Sequence, residues 1–470
     1  MGLTLTVRAQ GQPNYTVTDL GTQMNAFNAS VTGINSAGQV SGFDVLPGNF
    51  GPSGFRTAAD GTIDWSLDNI GTLGGSYVAA QSLNNLGQVV GMSTDAGAVP
   101  HAFRTGASGV INSATDDLGG LGGSGSAATA INASGQVVGF GFTAGNSALH
   151  AFRTAANSAI NPATDDLGAF PGGPFSMALG VNDAGQAVGI SYLADFTFHG
   201  FRTAANSPIN QATDDLGTFG GSYSFAAAIN ASGQVVGDAD TGPGGPNFHA
   251  FRTAAGSVGP LVAGNDLGTL GGGYSSAKSI NTAGHVVGYS ATTDPNTNIK
   301  HAFVYIDSTM YDLNNAIPAG SGWILTSALG INDGGQIIGL GILNNAVHYF
   351  RLDPVSTFNA LVQPPINSDG SSIFSGSRGV VPVKFTLTSD GVATCQLPPA
   401  TITVTRTTSG AASTVDTSTY VEPADNASSF RISGCQYVYN LGASSLGAGT
   451  YRVDITINGS VAGSGVFSLR

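Results

Sequence analysis

The sequence predicts an all-β protein in which a seven-bladed β-propeller, closed by an N-terminal strand, precedes an immunoglobulin-like β-sandwich. Three observations predict this fold. The residues that usually cover exposed helix faces are scarce, with one glutamate and three lysines in 470 residues, whereas strand-forming Val, Ile and Thr are plentiful. A motif recurs seven times in the first three-quarters of the chain. A different pattern, alternating apolar and polar residues, follows the last copy.

The N-terminal residues 1–14 are expected to stand outside the fold. They lack a basic n-region and a full apolar segment, but Val7-Arg8-Ala9 provides a small-residue cleavage context. We interpret them as the remnant of a signal peptide or an artificial start of the chain. The propeller is then predicted over 15–353 and the sandwich over 354–470.

The repeated motif is Asn-x-x-Gly followed by Gln and an apolar pair, then His-Ala-Phe-Arg-Thr, then Asp-Leu-Gly. Consecutive motif glycines are 48 to 51 residues apart, and they are Gly38, Gly87, Gly135, Gly185, Gly233, Gly284 and Gly335. Each copy contains four short β-like runs, which suits one four-stranded propeller blade. In the fifth copy the runs are predicted at 226–230, 234–238, 249–253 and 266–270.

The ends of the repeat favour a closed propeller over a β-solenoid, which the period alone would also allow. The seventh copy supplies three runs and then stops without an Asp-Leu-Gly. The missing run stands at the other end of the repeat, where 15–21 reads Tyr-Thr-Val-Thr-Asp-Leu-Gly. An N-terminal strand that completes the last blade removes the open edge that a solenoid would have to cap.

These motifs carry a family resemblance over about 15–353. Asp-Leu-Gly-Thr-Leu-Gly-Gly-Ser, Ala-x-x-Ile-Asn-x-x-Gly-Gln-Val-Val-Gly and His-Ala-Phe-Arg-Thr resemble the HAF repeats of probable extracellular bacterial proteins. The first copy departs from the pattern, because Gly54-Phe55-Arg56-Thr57 lacks the histidine, and the fourth has His199-Gly200-Phe201. The resemblance implies a secreted or cell-surface protein and assigns no chemistry.

The C-terminal region shows about seven short alternating runs, which are typical of an immunoglobulin-like sandwich. Residues 358–470, with Val381-Pro382-Val383-Lys384-Phe385 at their centre, resemble the PxKF domain of bacterial secreted proteins. That resemblance implies a spacer, anchoring or assembly module. The only two cysteines, Cys395 and Cys435, lie here; in an exported domain they are expected to form a disulfide, with a pair of buried free thiols as the alternative.

The polar residues that recur in the copies of the repeat are candidates for catalysis or metal binding. Equivalent residues of different blades lie far apart, so the histidines at the start of the third strand are interpreted as structural: His101, His150, His199, His249, His301 and His348. Thr-Asp-Asp-Leu-Gly runs contain oxygen ligands suited to calcium, but aspartates at such positions commonly bond turn amides. No cofactor is predicted, calcium being the alternative. Because the candidate carboxylates are copies of the repeat, no symmetry-breaking catalytic cluster is recognised.

The loops that precede the first strand of each blade carry an aromatic residue seven to nine positions before the motif asparagine. Amphipathic rings on one propeller face suit sugar or protein binding, and packing between blades is the alternative. These candidate ligand-binding residues are Phe27, Tyr77, Phe175, Tyr223, Tyr274 and Trp323. Aspartates of the neighbouring loops are expected to line the rim of the same face: Asp44, Asp95, Asp195, Asp238, Asp240 and Asp294.

Charge and hydropathy disfavour several classes of function. A net charge of −13 and a pI near 4.6 disfavour nucleic-acid binding and docking on anionic membranes, and no apolar run is long enough to span a bilayer. We therefore expect a secreted or surface-displayed, non-enzymatic propeller that binds a glycan or a protein, with the sandwich as spacer or attachment module. A polysaccharide hydrolase or lyase and a structural subunit of a surface assembly are the alternatives. The sequence does not predict an oligomeric state.

Overall fold

The computed structural model is all-β and divides into two compact units, Met1–Pro354 and Val355–Arg470. It describes residues 13–24, 29–46, 48, 51–242, 247–293, 300–355, 358–367, 370–377, 379–389, 391–396, 400–408, 430–444, 446–457 and 460–470. The predicted N-terminal remnant, 1–14, lies outside these residues except for 13 and 14.

The first unit contains seven small antiparallel sheets, one for each copy of the motif, which we number one to seven in chain order. Three consecutive strands build the body of each sheet, so the fold repeats with the sequence. In sheets one to four these strands are β2 (Ser30–Ile34), β3 (Val40–Asp44), β4 (Ser53–Arg56); β5 (Gly74–Leu83), β6 (Val89–Asp95), β7 (Pro100–Arg104); β8 (Gly122–Ile131), β9 (Val137–Thr143), β10 (Leu149–Arg153); and β12 (Ser176–Val181), β13 (Ala187–Tyr192), β14 (Phe198–Arg202). In sheets five to seven they are β15 (Ser224–Ile229), β16 (Val235–Asp240), β17 (Phe248–Arg252); β18 (Gly271–Ile280), β19 (Val286–Thr292), β20 (His301–Ile306); and β22 (Trp323–Ile331), β23 (Ile337–Leu343), β24 (Ala346–Pro354).

The Asp-Leu-Gly motif supplies the fourth, outermost position of the sheets. It is strand β11 (Asp166–Gly168) in sheet three. In sheet six the corresponding residues are Asp312-Leu313-Asn314, and strand β21 (Thr309–Asp312) ends at that aspartate. In sheets two, four and five it is a single β-bridge to the phenylalanine of the third strand, and sheet one has an equivalent bridge between Phe55 and Asn69. The helical segments among the described residues are one short α-helix, α1 (Gln211–Asp214), and the 3-10 turns Ala144–Asn146, Ala263–Asn265 and Leu313–Asn315.

The outermost strand of sheet seven comes from the N-terminus. Strand β1 (Tyr15–Thr22) pairs antiparallel with β24, with Tyr15 opposite Pro354 and Thr22 opposite His348. This is the pairing expected from the missing Asp-Leu-Gly of the seventh copy. It joins residues more than 300 positions apart and covers the edge that β24 would otherwise expose.

The motif asparagines connect all seven sheets by side-chain hydrogen bonds. Each side-chain oxygen accepts the amide four residues on, within its own turn, as Asn132 does from Gln136. Each Nδ2 donates to the main-chain carbonyl of the asparagine in the next copy, at 2.9 to 3.2 Å. The last of these bonds runs from Asn332 back to Asn35, so that the series is closed; its members are Asn35, Asn84, Asn132, Asn182, Asn230, Asn281 and Asn332. We call this series the asparagine ring.

The second unit consists of two sheets that share one hydrophobic core. One has the order β25-β27-β31-β30 with β28 beside β27, and the other β26-β33-β32-β29, in which β26 and β33 are parallel. Buried Phe385 and Tyr437 of the first sheet and Tyr451 and Phe467 of the second belong to that core. The strands are β25 (Phe358–Gln363), β26 (Ser372–Phe374), β27 (Val380–Ser389), β28 (Val392–Thr394), β29 (Ala400–Thr408), β30 (Arg431–Ser433), β31 (Gln436–Gly442), β32 (Gly449–Ile457) and β33 (Ser460–Leu469).

The disulfide expected from the sequence is present. Cys395, just after β28, is bonded to Cys435, in the turn between β30 and β31. The bond therefore ties two strands of one sheet to each other across 40 positions of sequence. Among the residues described above, no helix has the length and apolarity needed to cross a membrane.

Candidate functional site

The recurring histidines pair with the aspartate of Asp-Leu-Gly in their own sheet or, in sheet six, with Asp312 of Asp-Leu-Asn. Nδ1 of His199 lies 2.8 Å from Asp215, and the same contact occurs in six sheets at 2.7 to 3.0 Å. The aspartate also accepts the amide of the motif glycine, as Asp215 does from Gly217 at 2.7 Å. Each histidine thus fastens the outermost segment of its sheet to the third strand. This is the structural role predicted for the six histidines.

Sheet one lacks both members of the pair. Ser53 stands where the other copies have histidine, and Asn69 stands where they have aspartate. Asn69 still accepts the amide of Gly71, at 2.8 Å. The two positions have changed together, and this supports a role for the histidine and aspartate as one structural unit.

The adjacent aspartates of Thr-Asp-Asp-Leu-Gly have separate partners. The first, such as Asp116, accepts the backbone amide of Asn112 at 2.8 Å and closes the turn before it. The second, Asp117, holds His101 at 2.7 Å. The alternative of a calcium site gains no support from this arrangement, and no group of three or more His, Cys, Asp or Glu side chains placed to hold a metal occurs in the described ranges.

Two cavities lie where the innermost strands of all seven sheets meet. One, of about 280 Å³, is lined by the asparagine ring and the residues on either side of it. The other, of about 260 Å³, is lined by the preceding residues of the same strands. Seven aliphatic side chains line both cavities and divide the opening into two chambers: Ile34, Leu83, Ile131, Val181, Ile229, Ile280 and Ile331.

The structure places five of the six candidate aromatic residues. Phe175 and Tyr274 are 36% and 40% exposed, whereas Tyr77, Tyr223 and Trp323 are half-buried. Trp323 packs edge-on against His348 and Phe350 of its own sheet. Phe27 lies outside the described residues. The positions are therefore neither fully exposed nor fully buried, and they differ among the sheets.

Phe175 and Tyr223 belong to a continuous group of rings across sheets four and five, which we call the aromatic surface. Neighbouring ring centroids in this group are 4.7 to 6.1 Å apart. Its members are Phe175, Tyr192, Phe198, Tyr223, Phe225 and Phe248. Phe196, 68% exposed, stands at the tip of the adjoining β13–β14 hairpin.

Backbone contacts fix where the aromatic surface lies. The segments that carry Phe175 and Tyr223 run beside the hairpins between second and third strands: Tyr192 donates its amide to Phe175, and Asp240 donates to Tyr223. Phe175 and Tyr223 are the two members predicted from the sequence. Phe198 and Phe248 each stand directly before a motif histidine, and this aromatic position could have been recognised from the sequence.

The predicted rim of aspartates is wrong for two of its six members. Asp44 and Asp240 are 1% and 6% exposed, so these two do not line a surface. Asp44 accepts hydrogen bonds from Tyr349 and from the amide of Met24. Asp195 is exposed and closes its own turn with Thr197, and Asp95 similarly accepts the amide of Gly97. Asp294 lies outside the described residues.

A cluster that breaks the sevenfold pattern was missed. It consists of Asp238 on β16, Ser276 and Lys278 on β18, Tyr289 on β19, and Lys300 just before β20, and we call it the lysine cluster. Lys278 and Lys300 place their Nζ atoms 5.2 and 3.8 Å from the centroid of the Tyr289 ring. Ser276 donates a hydrogen bond of 3.1 Å to Asp238. Two of the three lysines of the chain therefore meet at one aromatic ring.

Burial alters the ionisation of this cluster. It raises the pKa of Asp238, an effect that the charge of Lys278 and the hydrogen bond from Ser276 oppose. It lowers the pKa of Lys300, and the neighbouring charge of Lys278 lowers it further. Perturbed ionisable groups in a cleft are candidate functional groups, because the same burial that shifts them strengthens their interaction with a ligand.

Comparison with known proteins adds a family and no activity. No curated protein matches the chain. Residues 159–418, more than half of the chain, match the family described as protein of unknown function (DUF3466). The match begins in the third copy of the motif and extends into the second unit, and so includes the whole aromatic surface and the whole lysine cluster. The chain belongs to this DUF3466 family.

Proposed function

We propose that the chain is an exported, non-enzymatic binding protein whose first unit is a seven-bladed β-propeller that recognises a glycan. In this proposal the binding face is the one that carries the loops before each first strand and the hairpins between second and third strands. The second unit is an immunoglobulin-like domain of the PxKF type that acts as a spacer or attachment module.

The propeller is supported by the way the seven sheets are connected. The asparagine ring returns from the seventh copy to the first, and β1 completes the sheet of the last copy. Both central cavities are lined by residues of all seven sheets. A solenoid would leave its first and last copies unconnected.

The aromatic surface is the observation that carries glycan recognition. Sugar rings present apolar C–H faces, which pack against aromatic rings, and hydroxyl edges, which need polar neighbours. The group offers six rings in succession, partly exposed, on a chain with only 9% charged residues. A row of rings at spacings of about one sugar unit suits an extended carbohydrate better than a single small ligand.

Export is supported by the disulfide between Cys395 and Cys435, since such bonds persist in oxidising compartments. The HAF and PxKF resemblances point the same way. A surface rich in aspartate and poor in lysine also suits a protein that stays dispersed outside the cell.

A glycan array on the intact chain, followed by calorimetric titration of the best ligand, tests the proposal. Phe175→Ala and Tyr223→Ala should each weaken binding about tenfold, because each removes one stacking contact. Val258→Ala is the matched control: Val258 is 85% exposed, in the loop that follows the third strand of sheet five, away from the aromatic surface. Binding to no glycan, or equal affinity of the Phe175 and Tyr223 variants and wild type, would contradict glycan recognition. Capture of a protein ligand through the same rings would replace the glycan by a protein partner.

A polysaccharide hydrolase or lyase is the second candidate, and the lysine cluster is the observation that favours it. Asp238, with its pKa raised by burial, and Lys300, with its pKa lowered, are groups suited to proton transfer. The distinguishing measurement is turnover. Release of reducing ends or unsaturated products from a bound polysaccharide, abolished by Asp238→Asn, would favour the enzyme over the binding protein.

A further inference from the structure

One position on the innermost strands lines the second cavity in every copy of the repeat. It is the second residue before the shared aliphatic position, and its seven occupants are Thr32, Gln81, Thr129, Leu179, Ala227, Lys278 and Leu329. Lys278 is the only charged member. A half-buried ammonium group thus lies on the cavity wall in sheet six, where the other sheets place neutral side chains.

Lys300 is a second charged exception in sheet six, at another position of the repeat. The residue directly before the motif histidine is apolar in the other copies, for example Leu149, Phe198 and Val347. In sheet six it is a lysine, with its ammonium group over the ring of Tyr289. Lys278 approaches the same ring. Two cations therefore converge on one aromatic side chain beside the cavity.

The carboxylates of the described residues do not neutralise this pair. Neither Lys278 nor Lys300 lies within 4.0 Å of a described carboxylate oxygen, the separation that defines an ion pair. Asp238 acts on Lys278 through its charge and itself accepts a hydrogen bond from Ser276. One aspartate, Asp238, lies close to one of the two lysines, in a chain whose net charge is −13. The cluster therefore has a local excess of positive charge, although the net negative charge of the whole molecule repels anions.

The contacts with Tyr289 alone do not explain why two lysines stand at these two positions. The position of Tyr289 is occupied by apolar Phe43, Phe140 and Leu340 in other copies, which fill the same space without a cation. A cation–π contact contributes roughly 0.5 to 2 kcal/mol, and bringing two like charges together in a half-buried place opposes it. An anion between the two ammonium groups would remove that repulsion and would be held by two charged donors.

We propose that Lys278 and Lys300 form a binding site for a carboxylate, and that the glycan recognised by the propeller is therefore acidic, containing uronic acid units. This inference rests on the proposed function, because the aromatic surface supplies the stacking contacts and the lysine cluster supplies the charge. Sulfate substituents present the same chemistry to an ammonium group, and the experiment separates the two sources.

The test is calorimetric titration of the full chain with three probes. They are a galacturonic acid tetrasaccharide, its neutral counterpart in which the carboxyl groups are reduced, and inorganic sulfate. Wild type should bind the acidic tetrasaccharide about tenfold more tightly than the neutral one, and this ratio should fall as salt rises. A tetrasaccharide with sulfate groups in place of carboxylates that bound about tenfold tighter still would make the site one for sulfate and overturn the assignment to uronic acids.

Each variant introduces the residue that another copy of the repeat has at the equivalent position, so the fold already accepts that residue there. Lys278→Gln introduces the residue of sheet two, and Lys300→Leu that of sheet three. Each should reduce the acidic-to-neutral ratio towards one. Lys384→Gln, which removes the third lysine from the second unit, should leave the ratio unchanged and controls for net charge.

The outcomes separate this inference from the proposed function. If both tetrasaccharides bind equally well, and the double variant Lys278→Gln/Lys300→Leu binds them as wild type does, the anion site is wrong and glycan recognition stands. If neither tetrasaccharide binds while inorganic sulfate binds and is lost in the lysine variants, the anion site stands and glycan recognition is wrong. If the double variant keeps the acidic-to-neutral ratio of wild type, the lysines do not form the anion site.

Discussion

The hydroxyl of Tyr349 donates a hydrogen bond of 2.9 Å to the carboxylate of Asp44, across 305 positions of sequence. Both side chains are 1% exposed. The carboxylate also accepts the backbone amides of Met24 and Val45, so it is satisfied without water. Burial raises the pKa of Tyr349, and the charge of Asp44 and this hydrogen bond raise it further. The tyrosine therefore remains a donor at the place where the seventh and first copies of the repeat meet.

Replacing Tyr349 by phenylalanine should lower the free energy of unfolding by about 1 to 3 kcal/mol, because the buried carboxylate of Asp44 loses one of its hydrogen-bond donors. Urea unfolding measures the change. Tyr311→Phe is the matched control, since its hydroxyl has no hydrogen-bond partner among the described residues. Equal losses in the two variants would show that the Tyr349 hydroxyl contributes nothing to joining the two ends of the repeat.

The connection between the ends of the repeat was predictable, whereas the contacts between neighbouring copies were not. The seventh copy lacks an Asp-Leu-Gly and residues 15–21 supply one, so the pairing of β1 with β24 follows from counting motifs. The amide of Asn132 reaches the carbonyl of Asn182 only after two turns have been placed side by side. Sequence periodicity places residues along a strand but does not place adjacent sheets.

The lysine cluster was missed for the same physical reason. Asp238 belongs to one copy of the repeat and Lys278 to the next, and Lys300 follows a loop of variable length. Their meeting depends on the packing of sheet five against sheet six. A comparison of equivalent positions would have found Lys278 and Lys300 as the charged exceptions at otherwise neutral positions, even without a structure.

The role of the asparagine ring can be tested by replacing asparagine with aspartate at two adjacent positions, one in the ring and one outside it. Asn84→Asp removes the amide that donates to Gln88 and to the carbonyl of Asn132, and places a buried charge beside these oxygens. It should cost about 1 to 3 kcal/mol or more. Asn85→Asp should be nearly neutral, because Asn85 is exposed and acts as an acceptor for Ser36, a role that Asp183 fills in the fourth copy. Chemical unfolding of both variants makes the comparison, and similar losses would contradict a structural role for the ring.

The His199–Asp215 pair should make part of the stability sensitive to acid. Burial acts to raise the pKa of Asp215, but the hydrogen bonds from His199 and Gly217 and the charge of His199 lower it by more, so that it lies below its usual value. A carboxylate with a lowered pKa stabilises the fold above the pKa that it has when unfolded, about 3.9, and this contribution is lost as the pH falls through the folded value. Asp215→Asn should therefore cost about 1 kcal/mol at about pH 5 and clearly less at about pH 2.5.

A double-mutant cycle separates the pair from its surroundings. His199→Ser with Asp215→Asn reproduces Ser53 and Asn69 of the first copy. At about pH 5 the double variant should be no less stable than Asp215→Asn alone, since the interaction is already absent. Additive losses would show that the two side chains act independently.

The disulfide should stabilise the second unit alone. Cys395 and Cys435 both lie in Val355–Arg470, and closing a loop of 40 residues contributes about 3 to 4 kcal/mol. Hydrogen exchange in Cys395→Ser/Cys435→Ser should accelerate in β27 and β31 and remain unchanged in the seven sheets of the first unit. A reducing agent should have the same effect on wild type and none on the variant. Unchanged exchange in β27 and β31 would be the contrary result.

Gly139 should tolerate no side chain, although its backbone conformation is an ordinary extended one. It lies on β9 opposite Ala128, where the register of β8 shifts between Ala128 and Ala130. A Cβ at Gly139 would collide with the main-chain carbonyl of Ala127, and backbone atoms within a packed sheet cannot move aside cheaply. Gly139→Ala should therefore lower the free energy of unfolding by about 2 kcal/mol or more.

Gly141 on the same strand provides the control for this substitution. A Cβ at Gly141 would meet the side chain of Ser126 at 3.4 Å, an ordinary van der Waals distance. Gly141→Ala should change the free energy of unfolding by less than about 1 kcal/mol, since alanine fits there and restricts the unfolded chain. If urea unfolding gave the same small loss for both variants, close approach of the innermost strand would not be the reason for glycine at position 139. The glycines equivalent to Gly139 in the other six sheets face the same carbonyl contact, so the argument extends to every copy of the repeat.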